Sequence, residues 1–195
     1  MTALGPGLRR LLEAFEKLGI SFFAGGSLAS SVHGIPRATR DVDLVADLTP
    51  PQVGALVREI GGEFHLDPDT IREALAAGRP FNLIHFESSY KFDIFPLRHD
   101  PCHLEEFARR EFQPVRQWGD DFSLPVASAE DTILSKLAWF RQRGEVSERQ
   151  WADARGVVEV RKDRLDMAYL RKWPVQLGVH DLLERLLVEA GMTTR

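Results

Sequence analysis

Apolar positions in the first twenty residues recur at the spacing of one helical face. Leu8, Leu11, Leu12, Phe15 and Leu18 lie on it, with Arg9, Arg10, Glu13, Glu16 and Lys17 between them, which predicts an amphipathic helix ended by Gly19. The pattern then shortens. Residues 20–24 read as a buried strand, Gly25-Gly26 as its turn into a helix over about 27–33, and Gly34 and Pro36 as the stop of that helix. From Asp41 to Ala46 the period is two, so Val42 and Leu44 share one face while Asp41 and Asp43 share the other. Thr49 caps a helix that begins at Pro50-Pro51 and carries Val53, Leu56, Val57 and Ile60 before Gly61-Gly62 closes it.

Residues 64–66 predict a brief strand, and Asp67 or Asp69 the cap of a helix ending near Gly78. Two apolar runs, 81–86 and 90–95, flank Glu87-Ser88-Ser89 and read as a hairpin. In its second strand Lys91, Asp93 and Phe95 share a face opposite Tyr90, Phe92 and Ile94. Beyond Pro96 the pattern changes. A short helix is expected over 103–110, then an irregular or edge-strand stretch over 112–126 punctuated by Gly119 and Pro125.

From Ser128 onward every segment is helical. Ser128 caps a helix carrying Ile133, Leu134, Leu137, Ala138 and Phe140; Ser147 opens a second; a third covers 165–172; a fourth runs from Val175 or Val179 to Ala190. Strands interleave with helices before this region, so the fold class is α/β or α+β, with a C-terminal helical region. The expected division is residues 1–110 and 111–195.

Composition narrows the function classes. A chain of 195 residues with 44% apolar content can bury one good core, or a main domain with a helical annex. Residues 1–128 carry 13 Lys/Arg against 18 Asp/Glu, and residues 129–195 carry 12 against 11, so neither half is basic and tight nonspecific nucleic-acid binding is not expected. Cys102 is the only cysteine, which excludes an intrachain disulfide and suits a reducing cytoplasm. The N-terminal residues lack the apolar core of a signal peptide, and no apolar run reaches membrane-spanning length. A soluble, cytoplasmic protein without membrane contact is expected.

Two carboxylates on one strand face repel each other unless a cation lies between them, and a divalent ion is the usual reason for such a pair. Upstream, the glycine-serine turn of Gly25, Gly26 and Ser27 can hold phosphate with backbone N–H groups at a helix N-terminus. Asp93 on a further strand supplies a third carboxylate, and three on neighbouring strands can hold two divalent ions that clamp the attacking and leaving oxygens of a nucleotidyl transfer. Magnesium prefers such oxygen donors.

Gly25-Gly26-Ser27, then Asp41-Val42-Asp43-Leu44, then a lone strand Asp93 resembles the DNA polymerase β-like nucleotidyltransferase superfamily over residues 20–95. In the helical half, SAEDTILSKLAWF followed by RQWADARGVV is similar to the AbiE-type and MenT-type toxin nucleotidyltransferases and their uncharacterised relatives. The Arg-x-Thr run at Arg37-Ala38-Thr39 also looks typical of them. The resemblance implies a small mixed sheet flanked by helices. It makes Asp41, Asp43 and Asp93 the metal carboxylates, for two Mg²⁺ with Mn²⁺ as a substitute. Gly25, Gly26, Ser27 and Arg37 become nucleotide-binding residues. Lys136 becomes the lysine that neutralises the triphosphate and the leaving group, and Asp153 a carboxylate that orients the site. Asp93 is the expected base. The activity implied is transfer of an NMP from an NTP to a hydroxyl of RNA such as tRNA, or of a protein, in a toxin with an antitoxin partner. Those toxins are often longer, so an extended substrate-binding region is not expected here.

Other readings stand beside these. The glycine turn alone is an ordinary strand-to-helix connection. Lys136 is equally explained as a solvated mid-helix residue, and Asp153 as an exposed partner of Arg149 or Arg155 at helical spacing. Glu130 and Asp131 are explained as first-turn carboxylates of the helix that Ser128 caps. Arg37 and Arg40 either steer phosphate or balance the acidic strand. His99, Cys102 and His103 match no standard zinc spacing. The competing functions are a nucleotide-binding module without turnover and a nucleotidyltransferase acting on a small molecule such as an antibiotic.

Overall fold

The structure, a computed structural model, describes residues 4–39, 41–114 and 123–192. In chain order its helices are α1 (Leu4–Lys17), α2 (Gly26–His33), α3 (Val53–Ile60), α4 (Pro68–Ala76), α5 (Pro101–Arg109), α6 (Ala129–Gln142), α7 (Glu148–Arg161), α8 (Met167–Lys172), α9 (Pro174–Leu177) and α10 (His180–Glu189). Its strands are β1 (Phe22–Ala24), β2 (Asp41–Ala46), β3 (Phe64–His65), β4 (Phe81–His85), β5 (Lys91–Pro96), β6 (Glu111–Pro114) and β7 (Ser123–Val126). They fall into two compact units, and neither is one continuous stretch. Met1–Ala24 and Thr39–Val126 form one; Gly25–Ala38 and Ala127–Arg195 form the other.

The first unit is a mixed seven-stranded sheet with strand order β3-β4-β5-β2-β1-β7-β6. The central pair, β2 and β5, is parallel, and β1 meets β2 antiparallel and β7 parallel. The expected hairpin forms: β4 and β5 pair antiparallel, with Phe81 opposite Ile94 and Leu83 opposite Phe92. The stretch after Pro96 holds strands β6 and β7, which pair antiparallel at the sheet edge.

Alternation along β2 and β5 sorts the faces. Val42, Leu44, Phe92 and Ile94 are fully buried, whereas Asp43 and Asp93 are half-buried and Asp41 is exposed. The core also takes Leu8, Leu11 and Phe15 of α1, and Phe15 and Phe64 lie against Phe22 and Phe92 with ring centroids 5.6 and 5.9 Å apart. On the polar side of α1, Lys17 pairs with Glu59 at 2.6 Å and Arg10 with Glu63 at 2.7 Å. Helix α1 stops where expected, at Gly19, whose φ of +64° is the left-handed conformation that glycine adopts freely.

The second unit is helical. Its core joins Ile133, Leu134, Leu137 and Phe140 of α6 to Val157 and Val158 of α7 and to Leu182, Leu183, Leu186 and Leu187 of α10. Glu130 and Asp131 are buried and hydrogen-bonded rather than solvated. Ser128 Oγ accepts from the Asp131 N–H at 3.1 Å and donates to Asp131 Oδ2 at 2.6 Å, while the Tyr169 hydroxyl donates to Asp131 Oδ1. Glu130 Oε1 accepts the Asp166 N–H at 2.8 Å. These bonds tie the first turn of α6 to α8, the structural role their first-turn placement suggested.

Helix α2 joins this bundle through close approach and one buried histidine. A Cβ on Gly34 would stand 2.8 Å from the Val157 nitrogen and 2.9 Å from the Gly156 carbonyl carbon, so only glycine lets α2 end against α7. His33, 3% exposed, donates from Nε2 to the Ala127 carbonyl at 2.6 Å and accepts at Nδ1 from the Arg161 guanidinium at 2.8 Å. Arginine can only donate, which fixes the imidazole as neutral with its proton on Nε2. Among the described residues, no helix is long and apolar enough to cross a membrane.

Candidate functional site

In the first unit the parallel register of β2 on β5 sets Asp41 opposite Lys91 and Asp43 opposite Asp93. Opposed residues share a face, so four charged side chains stand together on the sheet, with Asn82 of β4 opposite Asp93. The fourth member is Lys91. Its Nζ lies 2.7 Å from Asp93 Oδ2. The hydrogen bond to Asp93 holds the Lys91 ammonium above its ordinary range despite partial burial, and the negative fields of Asp93, Asp41 and Asp43 add to this. Strand periodicity had put Lys91 on the carboxylate face but could not say which neighbour it would take.

Asp41, Asp43 and Asp93 offer only oxygen, a donor set that suits a hard divalent ion. Among the described residues, however, no three His, Cys, Asp or Glu side chains converge on one point as they stand, and Asp93 is turned to Lys91. Thr39 adjoins the strand, its hydroxyl donating to the Asp41 carbonyl at 2.9 Å. Arg40 lies outside the described residues.

In the second unit Ser27, Arg37, Lys136, Arg149 and Asp153 form one network. Gly26 opens α2 at φ +55°, and Gly25 at the N-cap has no side chain to satisfy the first N–H groups of the helix. Ser27 Oγ accepts from Arg37 Nη2 at 2.6 Å and from Arg149 Nη2 at 3.2 Å. Arg37 also grips Asp153 with two bonds, Nε to Oδ1 at 2.8 Å and Nη2 to Oδ2 at 2.7 Å. Lys136, 3% exposed, donates to the same Oδ2 at 2.8 Å. Burial alone would raise the Asp153 carboxyl. Donation from Arg37 and Lys136, with their charges, outweighs it and holds the group at about 2.

The structure gives two of the expected residues their partners within the chain. Lys136 was assigned to a triphosphate, and its ammonium is bound to Asp153. Asp153 was open to pairing with Arg149 or Arg155; its side chain is 8% exposed and takes Arg37 and Lys136, while Arg155 pairs with Glu159 at 2.7 Å. Sequence reasoning gave Arg149 no part in the site. A groove of about 500 Å³ elsewhere on this unit, lined by Ile35, Phe140, Trp151 and Gly156 among others, contains none of the expected site residues.

The sequence profile of the family described as "Nucleotidyl transferase AbiEii toxin, Type IV TA system" matches residues 8–192. The chain belongs to this family. As a member of the AbiEii family it is a nucleotidyltransferase, on a mixed α/β fold, and the family is one of toxin–antitoxin systems. Two solved structures share the fold. A nucleotidyltransferase-like antigenic protein from Paracoccidioides brasiliensis is 15% identical, with a TM-score of 0.54 over 96% of this chain and 94% of its own. The antibiotic-resistance factor ANT(2'')-Ia is 14% identical, with a TM-score of 0.53 over 91% of this chain and 93% of its own. No curated protein matches the chain.

Proposed function

We propose that this AbiEii-family enzyme moves an NMP group from an NTP to an acceptor hydroxyl, on RNA such as tRNA or on a protein, in Mg²⁺-dependent fashion and in the cytoplasm. The observation that carries the reading is the register of β2 on β5, which sets Asp43 beside Asp93 on the face that also bears Asp41. Those three residues would hold the divalent ions. When bound, such ions supply positive charge to the phosphate being transferred and lower the pKa of a bound hydroxyl.

The remaining roles follow from the chain's own groups. Asp93 exchanges Lys91 for the reacting centre and takes the proton of the acceptor hydroxyl; Lys91 is then the cation that neutralises Asp93 between turnovers. The open N–H groups of Gly26 and Ser27 at the start of α2, and the Arg37 guanidinium, bind phosphate oxygens. Lys136 works as a positioning residue: it anchors Asp153, and Asp153 fixes the guanidinium plane of Arg37. Fixed donors of this kind are needed where charge builds on the departing pyrophosphate. The toxin family supports an antitoxin protein as partner.

The test is label transfer. Pure protein with Mg²⁺ and each α-labelled NTP is offered total tRNA, cell-extract protein and a set of small hydroxylated antibiotics. Transfer to tRNA or protein, lost in Asp43→Asn and Asp93→Asn, is expected. Transfer to the small molecules alone would replace the acceptor class, and transfer that survives Asp41→Ala with Asp43→Ala would remove the assigned carboxylates.

A further inference from the structure

Arg149 is exposed on the first turns of α7, and among the described residues its one hydrogen-bond partner is a neutral oxygen, Ser27 Oγ. The neighbouring cations are otherwise engaged. Arg37 and Lys136 share the single carboxylate of Asp153, and Arg155 has Glu159. Among the described residues Arg149 is thus the member of this cluster whose charge meets no carboxylate.

The hydroxyl of Ser27 makes the arrangement directional. A serine oxygen has two lone pairs and one proton. Arg37 and Arg149 fill both lone pairs, so the Ser27 proton can only be donated outward, and among the described residues nothing accepts it. Around Ser27 the cluster thus presents donors only: the hydroxyl, the remaining N–H groups of Arg149, and the open backbone N–H groups at the start of α2. A donor-only surface that carries the charge of Arg149 calls for a ligand that is acceptor-only and anionic. A planar guanidinium that is already oriented, as Ser27 orients Arg149, matches phosphate oxygens better than a free one.

We propose that Arg149 is a phosphate-binding residue of this enzyme, held by Ser27 so that the two grip the triphosphate of the incoming NTP. The inference rests on the nucleotidyl-transfer reading and adds to it a residue on α7. Arg149 touches the substrate and stays charged throughout, so no proton moves through it.

The experiment is calorimetric binding of two probes, inorganic tripolyphosphate and an α,β-methylene NTP, each with Mg²⁺. The proteins are wild type, Arg149→Gln, Arg149→Lys, and Arg155→Gln as a control on the same helix. Loss of a charged donor pair weakens binding about tenfold or more, so Arg149→Gln weakens both probes by that factor, Arg149→Lys weakens them less, and Arg155→Gln leaves them as in wild type. Melting temperatures are read alongside. Binding of both probes by Arg149→Gln within about twofold of wild type overturns the proposal, as does equal weakening in Arg155→Gln. A third probe, a 5′-hydroxyl oligonucleotide, separates the sources of phosphate: if Arg149→Gln weakens it and spares tripolyphosphate, Arg149 serves a polynucleotide and the proposal fails. Neither reading hides the other. Arg149-dependent tripolyphosphate binding in a protein that labels no acceptor would sink the transfer reading alone. Transfer that depends on Asp43, with unaltered triphosphate binding in Arg149→Gln, would sink this one alone.

Discussion

Lys91 and Asp93, two residues apart on one face of β5, close on each other at 2.7 Å between Nζ and Oδ2. The ammonium stands where a divalent ion would need the same carboxylate oxygen. Together with Asp41 and Asp43 it leaves four charged groups at net −2, the charge that one divalent ion neutralises. Lys91→Met should therefore tighten Mn²⁺ binding in the absence of nucleotide. The side chains are partly solvated, so the gain is about 0.5–1 kcal/mol, or a few-fold in affinity. Mn²⁺ titration followed by electron paramagnetic resonance measures it, and unchanged or weaker binding would show that Lys91 does not compete for Asp93.

Removing Lys136 should destabilise the helical unit as well as blunt catalysis. Its ammonium and the Asp153 carboxylate are 4% and 8% exposed, and breaking a buried pair leaves a charge without compensation. Arg37 remains on Asp153, which moderates the loss, and about 2–4 kcal/mol is expected for Lys136→Met. Urea unfolding gives the number. Tripolyphosphate binding in the same variant should fall less than in Arg37→Gln, because Lys136 acts through Asp153.

The Asp153 carboxyl also makes stability depend on acid. Its value in the folded chain, about 2, lies below the ordinary 3.8. A depressed folded value means the unfolded chain takes up the proton first. The stabilisation is complete above about pH 5 and is lost as pH falls from there towards 2. The shift corresponds to roughly 2 kcal/mol. Unfolding free energies at pH 5, 4 and 3 should fall more steeply in wild type than in Asp153→Asn, and parallel curves would count against the assignment.

Gly34→Ala is expected to be among the more damaging single-methyl changes in the chain. The added carbon would meet backbone atoms of Gly156, Val157 and Ser30 at 2.8–3.0 Å, and backbone cannot rotate away as a side chain can. A loss of about 2–3 kcal/mol follows for overpacking of this kind. Thermal unfolding checks it, with Gly62→Ala, where the new carbon meets nothing within 4 Å, as the reference.

The faces of β2 and β5 were legible because alternation is a local signal: four neighbouring positions suffice to put Asp41 and Asp43 opposite Val42 and Leu44. The glycine turn and the Ser128 cap were legible for the same reason. Partners were not. Arg37 and Asp153 are 116 positions apart, and nothing in the spacing of either announces the other. Arg149 shows how a local rule misleads. It stands four residues before Asp153, a spacing that lets a pair form on a helix, yet Asp153 is already taken from two other segments and Arg149 turns to Ser27. Spacing reports reach, and long-range packing decides choice. Asp93 carried a similar ambiguity, since the periodicity that set it beside Lys91 could not reveal that the two would bond.

The chain enters the helical unit twice. Between β1 and β2, which are neighbours in the sheet, residues 25–38 leave to join the helices that follow position 127. A fragment beginning at residue 127 would keep Lys136, Asp153 and Arg149 but lose Ser27, Arg37 and Gly34, leaving cations and a carboxylate without the partners that fix them. One cut by a protease therefore cannot release either unit whole. Three cuts are needed, one at each crossing near residues 24, 38 and 126, and gene fusions or truncations that treat the C-terminal helices as a detachable module should yield protein that neither folds well nor holds phosphate.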